Sequence, residues 1–354
     1  MESVPPVSRV AIFGGTHGDE MSGVCLARHW LSDAGEAAAE ISRPSFSSTP
    51  VLANPRAVQR CTRYIDTDLN RCFTHEQLAV EVKEDTPYET LRAQEINRLF
   101  GPKGSDQAFD FIIDMHNTTS NMGNCLIVSN SADILALHMA RYMQSKCQPM
   151  PCPVLLTEHP VLQYATGRSV AKHSLGLELG PQPQGVARAD VLIRMRKLVT
   201  TALDFLHLFN TGHEFPAGSL EVCRVTERID YPRDSHGNLT AVIHPDLQVS
   251  TAYTLHCPSS KGGIVTGSHC IQESLYSSLW MEQPFRTRAL ALLSLPLSMR
   301  QPTMRKAWPS GQPSVKCYTS QLFAWMGKPA RLTFNCCALS CSALLTIKLH
   351  HTYL

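Results

Sequence analysis

The stretch Val10-Ala11-Ile12-Phe13-Gly14-Gly15-Thr16-His17-Gly18-Asp19-Glu20 decides how this chain is read. An apolar run, a pair of glycines and the helical pattern of Met21 to Trp30 spell a strand, a tight turn and a helix start. In an open α/β sheet such a turn lies at the carboxyl end of a strand, where ligands collect. His17 and Glu20, three residues apart at the helix entrance, can face one point. Imidazole nitrogen and carboxylate oxygen together suit a borderline cation such as zinc. The alternative is a helix cap, with Thr16 or Asp19 capping, Glu20 favoured by the helix dipole and His17 in solvent.

Working outward, Pro50-Val51-Leu52-Ala53 reads as a short strand closed by Asn54-Pro55. Arg63 to Arg71 is a polar loop with two arginines at its ends, two aspartates and Asn70. It reads equally as an anion-binding loop and as a solvated one with internal Arg–Asp pairs. Glu89 to Phe100 has one apolar side and is predicted helical. Phe109-Asp110-Phe111-Ile112-Ile113-Asp114 reads as a buried strand that delivers His116, a third candidate ligand, just past its end. Asp114, two residues earlier, can hold the tautomer and orientation of that imidazole.

Further strands are predicted at Leu126–Val128 and Cys152–Leu156, with a helix at Ile134–Cys147 between them. Tyr164 and Arg168 fall in a polar loop. Leu175-Gly176-Leu177-Glu178-Leu179-Gly180 is an apolar strand interrupted by a carboxylate, which is costly to bury unless paired, hydrogen-bonded or protonated. A structural ion pair and a functional carboxyl both fit that pattern. The helix predicted from Val186 to Phe209 ends at Asn210-Thr211-Gly212. Alternation at Leu220–Val225 and Ile229–Tyr231, a turn at Asp234–Asn238 and Leu239–Ile243 mark the start of a small β-domain.

Composition narrows the class. The 354 residues carry 18% charged side chains and a net charge of +2, so no nucleic-acid-binding tail is expected. The first residues lack the apolar core of a signal peptide, and no apolar run approaches the length of a membrane span. The thirteen cysteines are therefore expected to be reduced thiols in a cytoplasmic protein. None forms paired C-x-x-C motifs, so a thiolate zinc site is not expected. The Gly14-Gly15 turn lacks G-x-G-x-x-G spacing, and no G-x-x-x-x-G-K occurs, which argues against a nucleotide-binding protein.

Four motifs in this order, Gly14–Glu20, Asp68-Leu69-Asn70-Arg71, Asp114–Thr119 and Gly180–Gly185, resemble the aspartoacylase and aminoacylase 3 family. More distantly they are similar to succinylglutamate desuccinylases and zinc carboxypeptidases. The resemblance covers about residues 8 to 248. It implies a zinc-carboxypeptidase-like α/β/α sandwich with a mixed sheet, one zinc ion per subunit and hydrolysis of a small N-acyl amino acid.

Carried over by position, the resemblance implies His17, Glu20 and His116 as metal ligands. It implies Arg63, Asn70, Arg71, Tyr164, Arg168 and Glu178 as substrate contacts, with Glu178 and Arg63 catalytic. An arginine at position 168 favours N-acetyl-L-aspartate, with its two carboxylates, over the N-acyl aromatic amino acids and mercapturates of aminoacylase 3. Asp19 departs from the family, whose members usually carry asparagine there. The family leaves a homo-oligomer open.

The implied organisation is a catalytic domain over residues 8–212, the start of a C-terminal β-domain over 213–248, and an irregular tail over 249–354. The tail shows no strand alternation, holds six of the thirteen cysteines and lacks the family's C-terminal tyrosine motif. Val249-Ser250 is what an in-frame splice donor encodes, so intron read-through or a mis-assigned last exon is expected over the alternative of a divergent native domain. Residues 220–243 are then expected to lack partner strands, leaving a poorly ordered tail and an impaired enzyme. A zinc-binding homologue without turnover is the competing reading.

Overall fold

The computed structural model describes residues 4–32, 35–157, 166–228, 233–240, 242–243, 264–266, 269–271, 284–293 and 315–317. Strand β1 (Arg9–Gly14), which leads into the turn at residues 14–20, has fully buried interior residues. Val10 and Ile12 join one hydrophobic cluster and Ala11 and Phe13 another, so β1 has apolar packing on both faces. That is why the run reads as continuous rather than alternating. The larger cluster receives helix α1 (Met21–Ser32), α2 (Glu36–Ile41), α6 (Ile134–Lys146) and α7 (Ala189–Asn210). The smaller receives α5 (Tyr88–Phe100) and residues 69–73. The result is the expected α/β/α layering.

The remaining strands of this sheet are β2 (Ser47–Leu52), β3 (Phe111–Asn117), β4 (Gly123–Val128), β5 (Val154–Leu156), β6 (His173–Gly180), β7 (Gly218–Arg228), β11 (Pro284–Leu293) and β12 (Val315–Cys317). Their order is β12-β11-β7-β5-β4-β6-β3-β1-β2. Strands β2, β1, β3 and β6 pair in parallel, β4 runs antiparallel to β6, and β5 and β7 continue parallel to β4. The sheet is mixed, as expected. Because β2 and β3 flank β1 on opposite sides, the chain reverses its winding there. Crevices at such reversals open beyond the strands' carboxyl ends.

Three small helices escaped the sequence reading, α2, α3 (Pro55–Arg60) and α4 (His75–Leu78). All are too short to show a period. Strand β3 runs past Asp114 to Asn117, because its ladder with β6 continues through His116↔Glu178 and Asn117↔Leu179. His116 therefore sits within the strand, not after it.

A second correction concerns the alternating run at 220–225. Strand β7 does not open a separate sheet; it extends the main one through β5 and pairs antiparallel with β11, so it does not lack partners. A separate three-stranded sheet joins β8 (Val242–Ile243), β9 (Ile264–Thr266) and β10 (His269–Ile271). Thus the tail contributes strands where none was predicted. Most of 249–354, and with it the expectation of poor order, lies outside the described residues. The turn at Asp234–Asn238 is present, Asp234 Oδ1 accepting from the His236 and Asn238 amides. Among the described residues no helix is long and apolar enough to cross a membrane.

Candidate active site

The turn after β1 is built on close approach. Gly15 has φ +69°, a conformation that side chains rarely adopt, and a Cβ on Gly14 would lie 2.1 Å from the Gly23 carbonyl oxygen. The first turn of α1 therefore packs directly on the strand end, carrying His17 and Glu20 inward. Both are nearly fully buried, as is His116, and their ligand atoms lie within 4.8 Å of one another. Against the capping alternative, the Thr16 hydroxyl is engaged with Asp114 Oδ1, to which it donates at 2.8 Å, and His17 is out of solvent.

The three candidate ligands share one carboxylate. Glu20 Oε1 lies 2.6 Å from His17 Nδ1, and Oε2 lies 2.9 Å from His116 Nδ1. The Asn117 amide donates to Oε2 at 2.9 Å. Each imidazole is backed at its other nitrogen by a carboxylate: His17 Nε2 by Asp68 at 3.1 Å, His116 Nε2 by Asp114 at 2.9 Å. Such backing fixes the ring so that Nδ1 is the free ligand atom. The Asp114 role matches expectation. Asp68 was quoted in a motif but given no task.

Electrostatics follow from this crowding. Burial pushes both imidazoles down, but Glu20 with Asp68, and Asp114 with Glu20, reverse this and hold both above the ordinary histidine value. Burial pushes Glu20 up, and the two imidazoles hold it well below the carboxylate range. Two nitrogens and one carboxylate oxygen, buried and without thiolate, form a donor set that fits zinc. The group could hold a divalent cation.

Glu178 stands opposite His116 in the parallel register of β3 and β6, so the two side chains share a face. It is 7% exposed, and burial together with the neighbouring Glu20 charge pushes its carboxyl up to about 7. A carboxyl so placed can exchange a proton near neutral pH. Arg63 donates from Nη2 to Asp68 at 2.9 Å, and its Nη1 lies 3.5 Å from Glu20 Oε1. Of the two readings of its loop, the internal Arg–Asp pair is present, and Arg63 also reaches the cluster through Glu20.

Asn70 is buried, its Nδ2 3.4 Å from His116 Nε2 and its Oδ1 accepting from the Gly167 amide. Arg168 is buried on a single 3₁₀ turn (Gly167–Val170), with Nη1 4.0 Å from Asp114 Oδ2 and no hydrogen-bond partner for Nε among the described residues. Arg71 is exposed and acts on the cluster through its charge, which helps hold Asp68 low. Tyr164 lies outside the described residues.

A wall of the pocket was not foreseen from the sequence. Asn117 Oδ1 accepts from the Ser22 amide and from Gln182 Nε2, and Gln182 Oε1 accepts from Ser22 Oγ. This ties the loop after β6 to α1 and β3. Asp19, Thr118, Gln182 and Gln184 line the pocket beside Glu178 and Arg63.

Comparison with known proteins gives a consistent result. The profile of the succinylglutamate desuccinylase/aspartoacylase catalytic domain matches residues 6–206. An aspartoacylase of Danio rerio is 56% identical over 240 residues, 68% of this chain and 75% of that protein. The N-acyl-aromatic-L-amino acid amidohydrolase (carboxylate-forming) of Homo sapiens is 53% identical over 243 residues, 69% of this chain and 75% of its own length. The crystal structure of murine aminoacylase 3 superposes with a TM-score of 0.66 at 48% identity, covering 70% of this chain and 80% of that one.

Proposed function

The chain belongs to the succinylglutamate desuccinylase/aspartoacylase family, and from that premise we propose that it is a zinc-dependent amidohydrolase of N-acyl amino acids, with N-acetyl-L-aspartate preferred. The observation that carries this reading is the buried His17–Glu20–His116 group with the raised carboxyl of Glu178 beside it on the next strand.

A zinc ion held by His17, Glu20 and His116 would supply a Lewis acid and an acidified water. Glu178 takes the proton from the attacking water and returns it to the departing amine nitrogen. Arg63, already turned toward the cluster, faces the carbonyl oxygen as negative charge gathers there. Asp68 and Asp114 keep the two imidazoles in the tautomer that offers Nδ1. Asn70 and Arg71, with Arg168 and Tyr164, bind substrate carboxylates. The preference for aspartate is supported by Arg168, since a buried guanidinium with an unpartnered Nε calls for an anion.

The test is a head-to-head assay of the zinc-loaded full-length chain on N-acetyl-L-aspartate and N-acetyl-L-tyrosine. A higher kcat/KM for the aspartate substrate is expected. Preference for the tyrosine substrate would reverse the substrate ranking, and hydrolysis of neither would refute the enzyme reading.

A further inference from the structure

The two edges of the His116 ring meet chemically different surroundings. Its Nε2 edge faces Asp114 and Asn70, with Arg168 beyond. Its Nδ1 edge faces Glu20, and past Glu20 the pocket is walled by Asp19, Thr118, Gln182 and Gln184. That second wall is rigid: the Gln182 amide donates to the Thr118 carbonyl at 2.9 Å, and the Gly185 amide donates to the Asp19 carbonyl at 2.8 Å.

Within this wall Asp19 is 7% exposed, and its Oδ1 is buried with no hydrogen-bond partner among the described residues. A buried acceptor left unsatisfied is costly, and a ligand that brings a donor removes the cost. An N-acyl amino acid carries its carboxylates on the amine side of the scissile bond. With those carboxylates held at Arg168, beyond the Nε2 edge of His116, the acyl chain extends past the Nδ1 edge, toward Asp19.

Resting on the amidohydrolase reading above, we propose that the side of the pocket bounded by Asp19, Thr118 and Gln182 is the acyl-chain subsite. There the Asp19 carboxylate selects short uncharged acyl groups, favours one bearing a hydroxyl donor, and rejects acyl chains that carry a carboxylate. A hydroxyacetyl group can donate to Oδ1. A malonyl group sets one carboxylate against another, and like charges at such range oppose binding strongly.

The test measures binding without turnover, by calorimetry on the zinc-loaded Glu178→Gln chain, with zinc content checked for every variant. The ligands are N-acetyl-, N-hydroxyacetyl- and N-malonyl-L-aspartate. With Asp19 present, the malonyl compound is expected to bind at least about tenfold more weakly than the acetyl compound. The hydroxyacetyl compound is expected to bind more tightly than the acetyl one, and equal binding of the two refutes the hydroxyl preference. Asp19→Asn, nearly the same shape, should close most of the malonyl gap, and Asp19→Ser should close it too while removing the hydroxyacetyl advantage. Equal binding of malonyl and acetyl ligands with Asp19 in place overturns the proposal, whatever the variants do. So does a gap that neither substitution narrows. If no acyl-aspartate binds at all, the functional reading fails and this inference with it; an unchanged gap sinks only the inference.

Discussion

Glu178→Gln isolates the proposed proton carrier from everything else in the site. The side chain is 7% exposed and faces His116 across the β3–β6 register, yet it is not among the three groups that could hold the metal. Glutamine keeps the volume and the hydrogen-bonding reach, so the strand and the pocket wall should stand. What it removes is a carboxyl that burial and Glu20 bring up to about 7, able to take a proton and return it near neutral pH. General acid–base catalysis is worth roughly 10²- to 10⁴-fold, about 2.7–5.5 kcal/mol at the transition state. We expect kcat on N-acetyl-L-aspartate to fall by that amount. KM should change much less, and bound zinc should stay at the parent's level. The assay pairs acetate release with elemental analysis of the same preparation. A variant within tenfold of the parent's kcat would refute the role. Loss of zinc together with activity would refute it differently, by making Glu178 a ligand.

Two further substitutions probe the supports of the site. Asp68→Asn weakens the contact at His17 Nε2 and removes a charge paired with Arg63. Zinc affinity, measured by chelator competition, should fall about 10- to 100-fold, as for other outer partners of metal ligands; an unchanged affinity would show that Asp68 does not orient His17. Asp110 accepts the amides of Ser8 and Arg9 at 2.7 and 2.9 Å and Lys172 Nζ at 2.7 Å, clamping the start of β1. Asp110→Asn should cost about 2–3 kcal/mol in urea unfolding at pH 7, the scale of hydrogen bonds to a charged group. Burial pushes this carboxyl up, but Lys172 and the two amides reverse that and hold it below its ordinary value. Its contribution is thus complete above the unfolded aspartate value of about 3.9. It is lost as pH falls through the lower folded value, so the parent–variant gap should shrink toward pH 2. A gap independent of pH would show the charge to be irrelevant.

What could be read from the sequence and what could not divide along sequence separation. Strand β1 and helix α7 were legible because their signals are local: β1 is one unbroken apolar run, and α7 repeats Val191, Met195, Leu198, Val199, Ala202 and Leu206 on one buried face. His17, Glu20 and His116 were legible because each follows or ends an apolar run. The loop at 63–71 was not, because what shapes it is remote. Glu89, fully buried on α5, accepts the amides of Ile65, Asp66 and Thr67, and also Asn54 Nδ2. That clamp presents Arg63 and Asp68 to His17, a contact 51 residues apart. Nothing within the loop announces it.

The same reasoning explains why the site needs this strand order rather than its motifs alone. His17 hangs from β1, His116 and Asp114 from β3, and Glu178 from β6, three adjacent parallel strands. Parallel pairing brings their carboxyl ends to the same edge of the sheet, and the reversal of winding at β1 keeps the crevice above them clear of a covering crossover. A one-residue slip between β3 and β6 would turn Glu178 to the other face and break the His116↔Glu178 pairing that puts its carboxyl beside the cluster. The leucines around Glu178 prevent that slip. Leu175, Leu177 and Leu179 fill the larger core cluster on the face opposite Glu178, and moving them would expose the side of the sheet that α6 and α7 cover. The apolar alternation that makes Glu178 look out of place in its strand is therefore what holds it in position.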